Sequence, residues 1–467
     1  MASAPRARSR SQSGTRRGGP NRSGHGGSSP AGPDTSAASA VRAAPGGRTD
    51  AASASRGPVT LHLQARSGRG GSFAVQRLVM LELAAALVVC GWAVGPFALV
   101  PAGVVAAVLV VLAVVRRRGR SLPEWLGSLL ALRARRRSAA NAPAPHGVDS
   151  GLAPAVECDP NLRTYSHSRG DDRDRRPVGM VGDGGFLTVV LQVEADAGAL
   201  RAERSLRPLP LALVRDALDV DGIRLESAQI VVHTQPAPAP HLPQQSVVVT
   251  NYSQVQAQTV SPAVRIMWIA LKLDPELCPE AVAARGGGVL GAQKCLVRSA
   301  DHLASRLTGA GFRTSLLTEE ELAAAIATSA GANPMVTAQA GQGDAPRRRT
   351  EESSRSWRCD NRRHTTYWVR RWPQLGGGSG IGLPQLVAQL TAVPALATTF
   401  SLTLARGGQR DVMVTGHLRV TGRSSTELAE ARRHLEQAAR QARTGIVRLD
   451  REQLPGMLAT LPLGGAR

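Results

Sequence analysis

Lys272 and Lys294 are the only lysines in the chain, and neither follows a glycine-rich loop with Ser or Thr behind it. The phosphate-cradling Walker A arrangement is therefore absent. The run Gly376-Gly377-Gly378-Ser379-Gly380-Ile381-Gly382 precedes a helical pattern at Pro384 but lacks GxGxxG spacing, and it reads as a flexible connector. Cys359 and His364 are the one close Cys/His pair of the globular region, and two ligands fall short of the three or four that zinc requires. No GxSxG elbow is present. Cys90, Cys158, Cys278, Cys295 and Cys359 are scattered without CxxC spacing, as expected of free thiols in a reducing compartment. The expectation is a protein without catalytic residues, metal or cofactor.

One stretch has the composition of a single-strand nucleic-acid binder. Arg347, Arg348, Arg349, Arg355, Arg358, Arg362, Arg363, Arg370 and Arg371 are interleaved with Trp357, Tyr367, Trp368 and Trp372, which would supply phosphate contacts and base stacking. The same residues also fit an Arg-rich surface loop feeding an edge strand whose rings are core. The second reading is preferred, because Arg is the default polar residue of this chain.

The elements that carry these residues follow from composition. Lys and Arg number 57 against 35 Asp and Glu, a formal net charge of +22. Residues 1–150 hold 20 Arg and 5 acidic residues, so most of the excess lies in the N-terminal third. Residues 1–72, rich in Ser, Gly, Ala and Pro, read as a disordered basic arm. Leu83 to Val115 carries no charge. As one helix it would run about 50 Å, too long for a hydrocarbon core of about 30 Å, and Gly95-Pro96 and Pro101 interrupt it. A transmembrane hairpin over 73–115 is expected, with spans at 78–94 and 97–115. Arg77 and Arg116-Arg117-Arg118 would flank it on the cytoplasmic side. One tilted span, or a buried core hairpin, are the alternatives.

Residues 116–137 then read as an Arg-flanked amphipathic helix. Ser121 and Glu124 form a capping box, and Leu122, Trp125, Leu126, Leu129 and Leu130 share a face. Arg77, Arg116, Arg117, Arg118, Arg120, Trp125, Arg133, Arg135, Arg136 and Arg137 are the candidate lipid-contact residues. Packing on another protein's transmembrane bundle is the equal alternative.

A linker is expected over 138–176. Two cytoplasmic α+β units follow, 177–330 and 364–467, separated by an Arg-rich linker at 331–363. Each unit reads strand, helix, strand, strand, helix, strand, helix, the order of a ferredoxin-like βαββαβ unit with an added helix. The fold class is thus α+β: a two-helix transmembrane hairpin followed by a cytoplasmic domain of two candidate ferredoxin-like pseudo-repeats. One local match supports duplication, Leu317-Thr318-Glu319-Glu320-Glu321-Leu322 against Leu449-Asp450-Arg451-Glu452-Gln453-Leu454. Any strand running into a capped helix would look similar.

The basic arm, the apolar hairpin, the Arg-flanked Leu/Trp segment and the closing Leu458-Ala459-Thr460-Leu461-Pro462-Leu463-Gly464 resemble EccE, a membrane component of the actinobacterial type VII (ESX) secretion system, over about residues 73–467. The long arm departs from the family pattern. The resemblance implies a non-enzymatic subunit of an inner-membrane complex with EccB, EccC and EccD, EccC supplying ATPase work. Both termini would be cytoplasmic. A membrane-tethered nucleic-acid or conjugation-type factor is the alternative function.

Overall fold

A computed structural model describes residues 70–114, 116–117, 120–143, 145, 147–168, 176–195, 208–235, 264–340, 347–374, 382–407 and 412–465. The basic arm lies outside them but for residues 70–72, which begin the first helix. The Gly376–Gly382 connector lies outside them up to Gly382.

Helices α1 (Gly70–Val94) and α2 (Pro96–Val114) form a hairpin. Gly95 makes the turn at φ 130°, a value that glycine adopts without the steric cost a Cβ would bring. The seam is built from small residues. Ala84 and Ala106 are buried, and a Cβ on Gly91 would lie 2.7 Å from that of Ala102. The outer surface is apolar, Leu83, Trp92, Phe97 and Val104 among it. The expected pair of transmembrane spans is nevertheless corrected. Among the described residues no helix is long and apolar enough to cross a membrane. Helix α1 carries Arg77 and Glu82 within it, which leaves 83–94 as its uncharged run, well short of the about 20 residues a span needs, and α2 has Pro101 inside its 19 residues. The multi-pass topology is thus without support among the described residues.

Helix α3 (Leu122–Asn141) follows a two-residue ladder between Arg116–Arg117 and Arg120–Ser121. Beyond it the chain forms one 12-stranded antiparallel sheet. Its strands are β1 (Arg163–His167), β2 (Val178–Gly182), β3 (Leu187–Ala195), β4 (Ser227–Gln235), β5 (Val264–Leu273) and β6 (Phe312–Leu316) in the first half. The second half contributes β7 (Thr350–Glu352), β8 (Trp357–Cys359), β9 (Arg362–Arg371), β10 (Ala397–Arg406), β11 (Val412–Gly422) and β12 (Gly445–Arg448). The spatial order is β7-β8-β9-β11-β10-β4-β5-β3-β2-β1, with β6 on β3 and β12 on β9.

Within each half the four central strands run in the order β6-β3-β5-β4 and β12-β9-β11-β10, which is the ferredoxin-like 4-1-3-2 arrangement. Each half also carries an added two-strand flap, β1-β2 or β7-β8. The halves join along β4 and β10 in a self-dual register. Val231 pairs Ser401, while Thr234 pairs Thr398 as Ala228 pairs Leu404. A pseudo-two-fold axis therefore passes between Val231 and Ser401. The matched hexapeptides are true counterparts: Leu317 N donates to Val190 O at 3.1 Å, and Leu449 N to Thr366 O at 3.0 Å. Only the first caps as expected, Thr318 and Glu321 forming the box. In the second copy Gln453 instead bonds the β9 backbone at Thr366 N, 2.9 Å, and helix α8 (Gln453–Leu458) starts later.

Alternation along the strands fills both faces. Val189, Leu191 and Val193 face one core with helices α4 (Gly288–Gly309), α6 (Leu383–Thr391) and α7 (Ser425–Gln441). On α4 the buried Ala292, Leu296, Ala300, Leu303 and Leu307 recur at helical spacing. Val190, Trp268 and Ala270 face the other core, with α5 (Glu319–Ala330), α8 and Leu461. There the C-terminal segment crosses the axis. Gln229 Nε2 donates to Ala459 O at 2.9 Å, Gly464 N to Gln229 Oε1 at 2.8 Å, and Thr188 Oγ1 to Leu463 O at 3.1 Å.

Two segments differ from their expected roles as linkers. Leu152, Ala155, Val156 and Leu162, in 138–176, are core, and so are Trp357 and Cys359 in 331–363. The first holds a short helix, Ala153–Val156, before β1, and the second holds β7 and β8. Their Pro, Ser and Arg content concealed short strands whose buried positions are few.

Candidate functional site

The groups considered for chemistry are occupied structurally. His364 is buried, its Nδ1 3.0 Å from Thr421 Oγ1 and its ring 5.1 Å from that of Trp357. Burial pushes the Cys359 thiol up and holds the His364 imidazole neutral. Among the described residues no group of three His, Cys, Asp or Glu could hold a metal. Lys272 is buried, 3.0 Å from Glu226 and 4.4 Å from the Phe186 ring centroid. Arg419 is buried and, among the described residues, has no carboxylate partner: its guanidinium meets Ser329, Thr399 and Met457, and burial lowers its pKa to about 9.

Two of the four aromatic side chains of 347–372 turn inward, while Trp368 and Trp372 are half-buried. Trp357 and Tyr367 are buried, and the Tyr367 hydroxyl donates to Glu436 at 2.8 Å. Arg349 is clamped by Asp360, with bonds of 2.9 and 2.8 Å that push its pKa up. Glu157 accepts from Arg349 N and Thr350 N. Trp357 and Tyr367 are core, as the preferred reading expects, but Tyr367 lies on β9, which pairs β8, β11 and β12 and is not an edge strand.

The strongest polar constellation away from the cores lies where α3 meets β7. Helix α3 buries Ser128 and Leu132, with Leu132 3% exposed, and Ser128 Oγ donates to Trp125 O at 2.9 Å. One turn beyond Leu132, Arg135 Nε donates to Glu352 Oε2 at 2.9 Å and Nη2 to Oε1 at 3.0 Å. Nη2 also donates to the Arg451 carbonyl at 2.6 Å, and Arg136 Nε to the Glu352 carbonyl at 2.9 Å. Leu454 N donates to Glu352 Oε1 at 3.0 Å. The Glu352 side chain is 5% exposed, so its charge depends on these donors. Arg451, at φ 66°, lays its guanidinium 4.8 Å from the Trp125 ring centroid. Arg348 Nη1 donates to Ala139 O at 2.7 Å, near the end of α3.

The ten candidate lipid-contact residues divide accordingly. Arg135, Arg136 and Trp125 are engaged by the chain's own flap and by Arg451. Arg133 and Arg137 are exposed on the outward stripe with Leu126, 46% exposed, and Leu130, 54% exposed. For Arg77, Arg116, Arg117 and Arg120 the backbone is described but not the side chain, and Arg118 lies outside the described residues. Sequence reasoning missed Glu352, and it placed Arg348 in the nucleic-acid stretch and Arg451 in the matched hexapeptide, not in a dock for α3. Only Glu352 left a trace, as an acidic residue on the inward register of a strand whose burial pattern alternates.

The EccE family model, described as "Putative type VII ESX secretion system translocon, EccE", matches residues 261–369. The resemblance read from the sequence is thus borne out over β5 to β9, a span that includes Glu352. No curated protein matches the chain.

Proposed function

We propose that this chain is a non-catalytic structural subunit of the type VII (ESX) protein secretion complex of the inner membrane. Its neighbours would be the EccB, EccC and EccD components, with ATPase work supplied by EccC. The observation that carries the reading is the EccE match over 261–369, because it covers the flap to which α3 is fastened. The bidentate Arg135–Glu352 contact makes α3 a fixed continuation of the α+β domain. The hairpin α1-α2 precedes α3 directly, so whatever holds the hairpin also positions the sheet.

The domain stands at the membrane surface in this reading. Leu126, Leu130, Arg133 and Arg137 face it, Arg77, Arg116, Arg117, Arg118 and Arg120 add positive charge near anionic headgroups, and Trp125 lies at the boundary. Arg135 is withheld from lipid by Glu352, and Arg136, though exposed, has its Nε on the Glu352 carbonyl. Deleting the gene should abolish export through the assembly, and re-expressing the full chain should restore it. Export unaffected by the deletion would refute the proposal.

A further inference from the structure

The pseudo-two-fold assigns counterparts to Glu352 and Arg451, the two residues of the α+β domain that meet Arg135. Glu352 lies opposite Trp357 on β8, which lies opposite His364 on β9; Thr164 lies opposite Val181 on β2, which lies opposite Thr188 on β3. Because Val190 and Thr366 are counterparts, so are Thr188 and His364, and therefore Thr164 and Glu352. The turns agree, with Gly184 and Asp360 at equivalent places and both at positive φ. By the hexapeptide match, Glu319 is the counterpart of Arg451.

In the second half this place is filled. Arg136 caps the outward carbonyl of Glu352, and Arg135 bridges the Glu352 carboxylate and the Arg451 carbonyl. In the first half β1 ends the sheet and, among the described residues, its only strand partner is β2. Arg163 and Ser166 are exposed. An open strand edge is a pairing liability that folded proteins cover. The acid has changed place across the axis: where the second half has Glu352 on the strand and Arg451 in the turn before α8, the first has Thr164 on the strand and Glu319 at the start of α5. The Thr164 hydroxyl donates to Glu319, and Glu320 beside it is exposed.

We infer that the outer edge of β1, with Glu319 and Glu320, is a docking site for a second arginine-bearing amphipathic helix, supplied by a neighbouring subunit and seated as α3 sits on β7. The filled counterpart gives the occupant's form, a helix, and the acidic pair gives its charge. This rests on the duplication and not on the secretion reading, and it can fail alone.

The probe is a fluorescent peptide of residues 121–142, whose sequence fits the counterpart edge, titrated into the purified full chain by anisotropy. Saturable binding of one peptide per chain is expected. Glu320→Lys should weaken it about 5-fold, equivalent to ~1 kcal/mol, and a peptide with Arg135→Glu and Arg136→Glu should bind more weakly on the wild-type chain. Binding should persist in Glu352→Gln, where the resident helix has lost its anchor. Absence of saturable binding, indifference to Glu320→Lys, or dependence on Glu352, which would mean exchange with the chain's own α3, would each overturn the proposal.

Discussion

Arg135 holds both carboxylate oxygens of Glu352 across 217 residues of chain, and the same guanidinium reaches the carbonyl of Arg451. A charge-assisted fork of this kind is directional, so it fixes the azimuth of α3 as well as its attachment. Arg136 on the Glu352 carbonyl closes an edge of the sheet that would otherwise be open.

Glu352→Gln removes the charge but keeps an oxygen for Leu454 N. The expected cost is about 1–2 kcal/mol, because Arg135 remains partly solvated. Thermal unfolding should shift downward, and trypsin should cut α3 at Arg133 to Arg137 faster than in wild type. Arg137→Ala, on the exposed stripe, should leave stability within about 0.5 kcal/mol. Equal cutting rates in Glu352→Gln and wild type would show that the fork does not hold α3.

Gly464 lies at φ 90°, and a Cβ there would sit 2.5 Å from that of Lys272. Gly464→Ala should therefore combine backbone strain with a steric clash, at a cost of about 2–4 kcal/mol. Gly222→Ala, at φ 76° with no neighbour within 4 Å, isolates the strain and should cost about 1 kcal/mol. Urea midpoints of the two variants give the comparison. Indistinguishable midpoints would mean the C-terminal segment is not held against Lys272.

His233 is neutral in the fold, its pKa lowered to about 3 by burial, with Arg419 and Arg362 adding to the effect. The unfolded chain, with an ordinary imidazole near 6.5, binds the extra proton at any pH between these values. Stability is therefore full above pH ~6.5 and declines as pH falls toward 3. Subtracting the urea midpoints of His233→Gln from those of wild type at each pH removes the carboxylate background. The difference should shrink as pH falls through this window, and a difference independent of pH would exclude His233 as a source.

Base stacking by 347–372 is disfavoured by the inward rings of Trp357 and Tyr367. Replacing Arg347, Arg355, Arg370 and Arg371 together by Ala should change the salt slope of any oligonucleotide binding by less than about one phosphate. A loss of several would restore the nucleic-acid reading.

The central strands were legible because they alternate or run mostly apolar, as Val264–Leu273 does apart from Arg265 and Lys272, α5 and α7 because their apolar spacing and caps agree, and α4 by its apolar spacing alone. The duplication was legible through the shared element order and one hexapeptide, whose two copies make equivalent bonds, Leu317 N to Val190 O and Leu449 N to Thr366 O. The flaps were not legible: β7 and β8 have three residues each and bury two. Nor was the dock, because the Arg135–Glu352 contact joins distant segments, and an arginine run close to a hydrophobic stretch fits lipid contact equally well.

Affinity purification of the tagged full chain from detergent-extracted membranes tests the central claim most directly. The chain should recover in a large assembly containing an ATPase and the other ESX components, at the native mass of that assembly. A lone monodisperse monomer, from cells carrying the complete gene cluster, would contradict it.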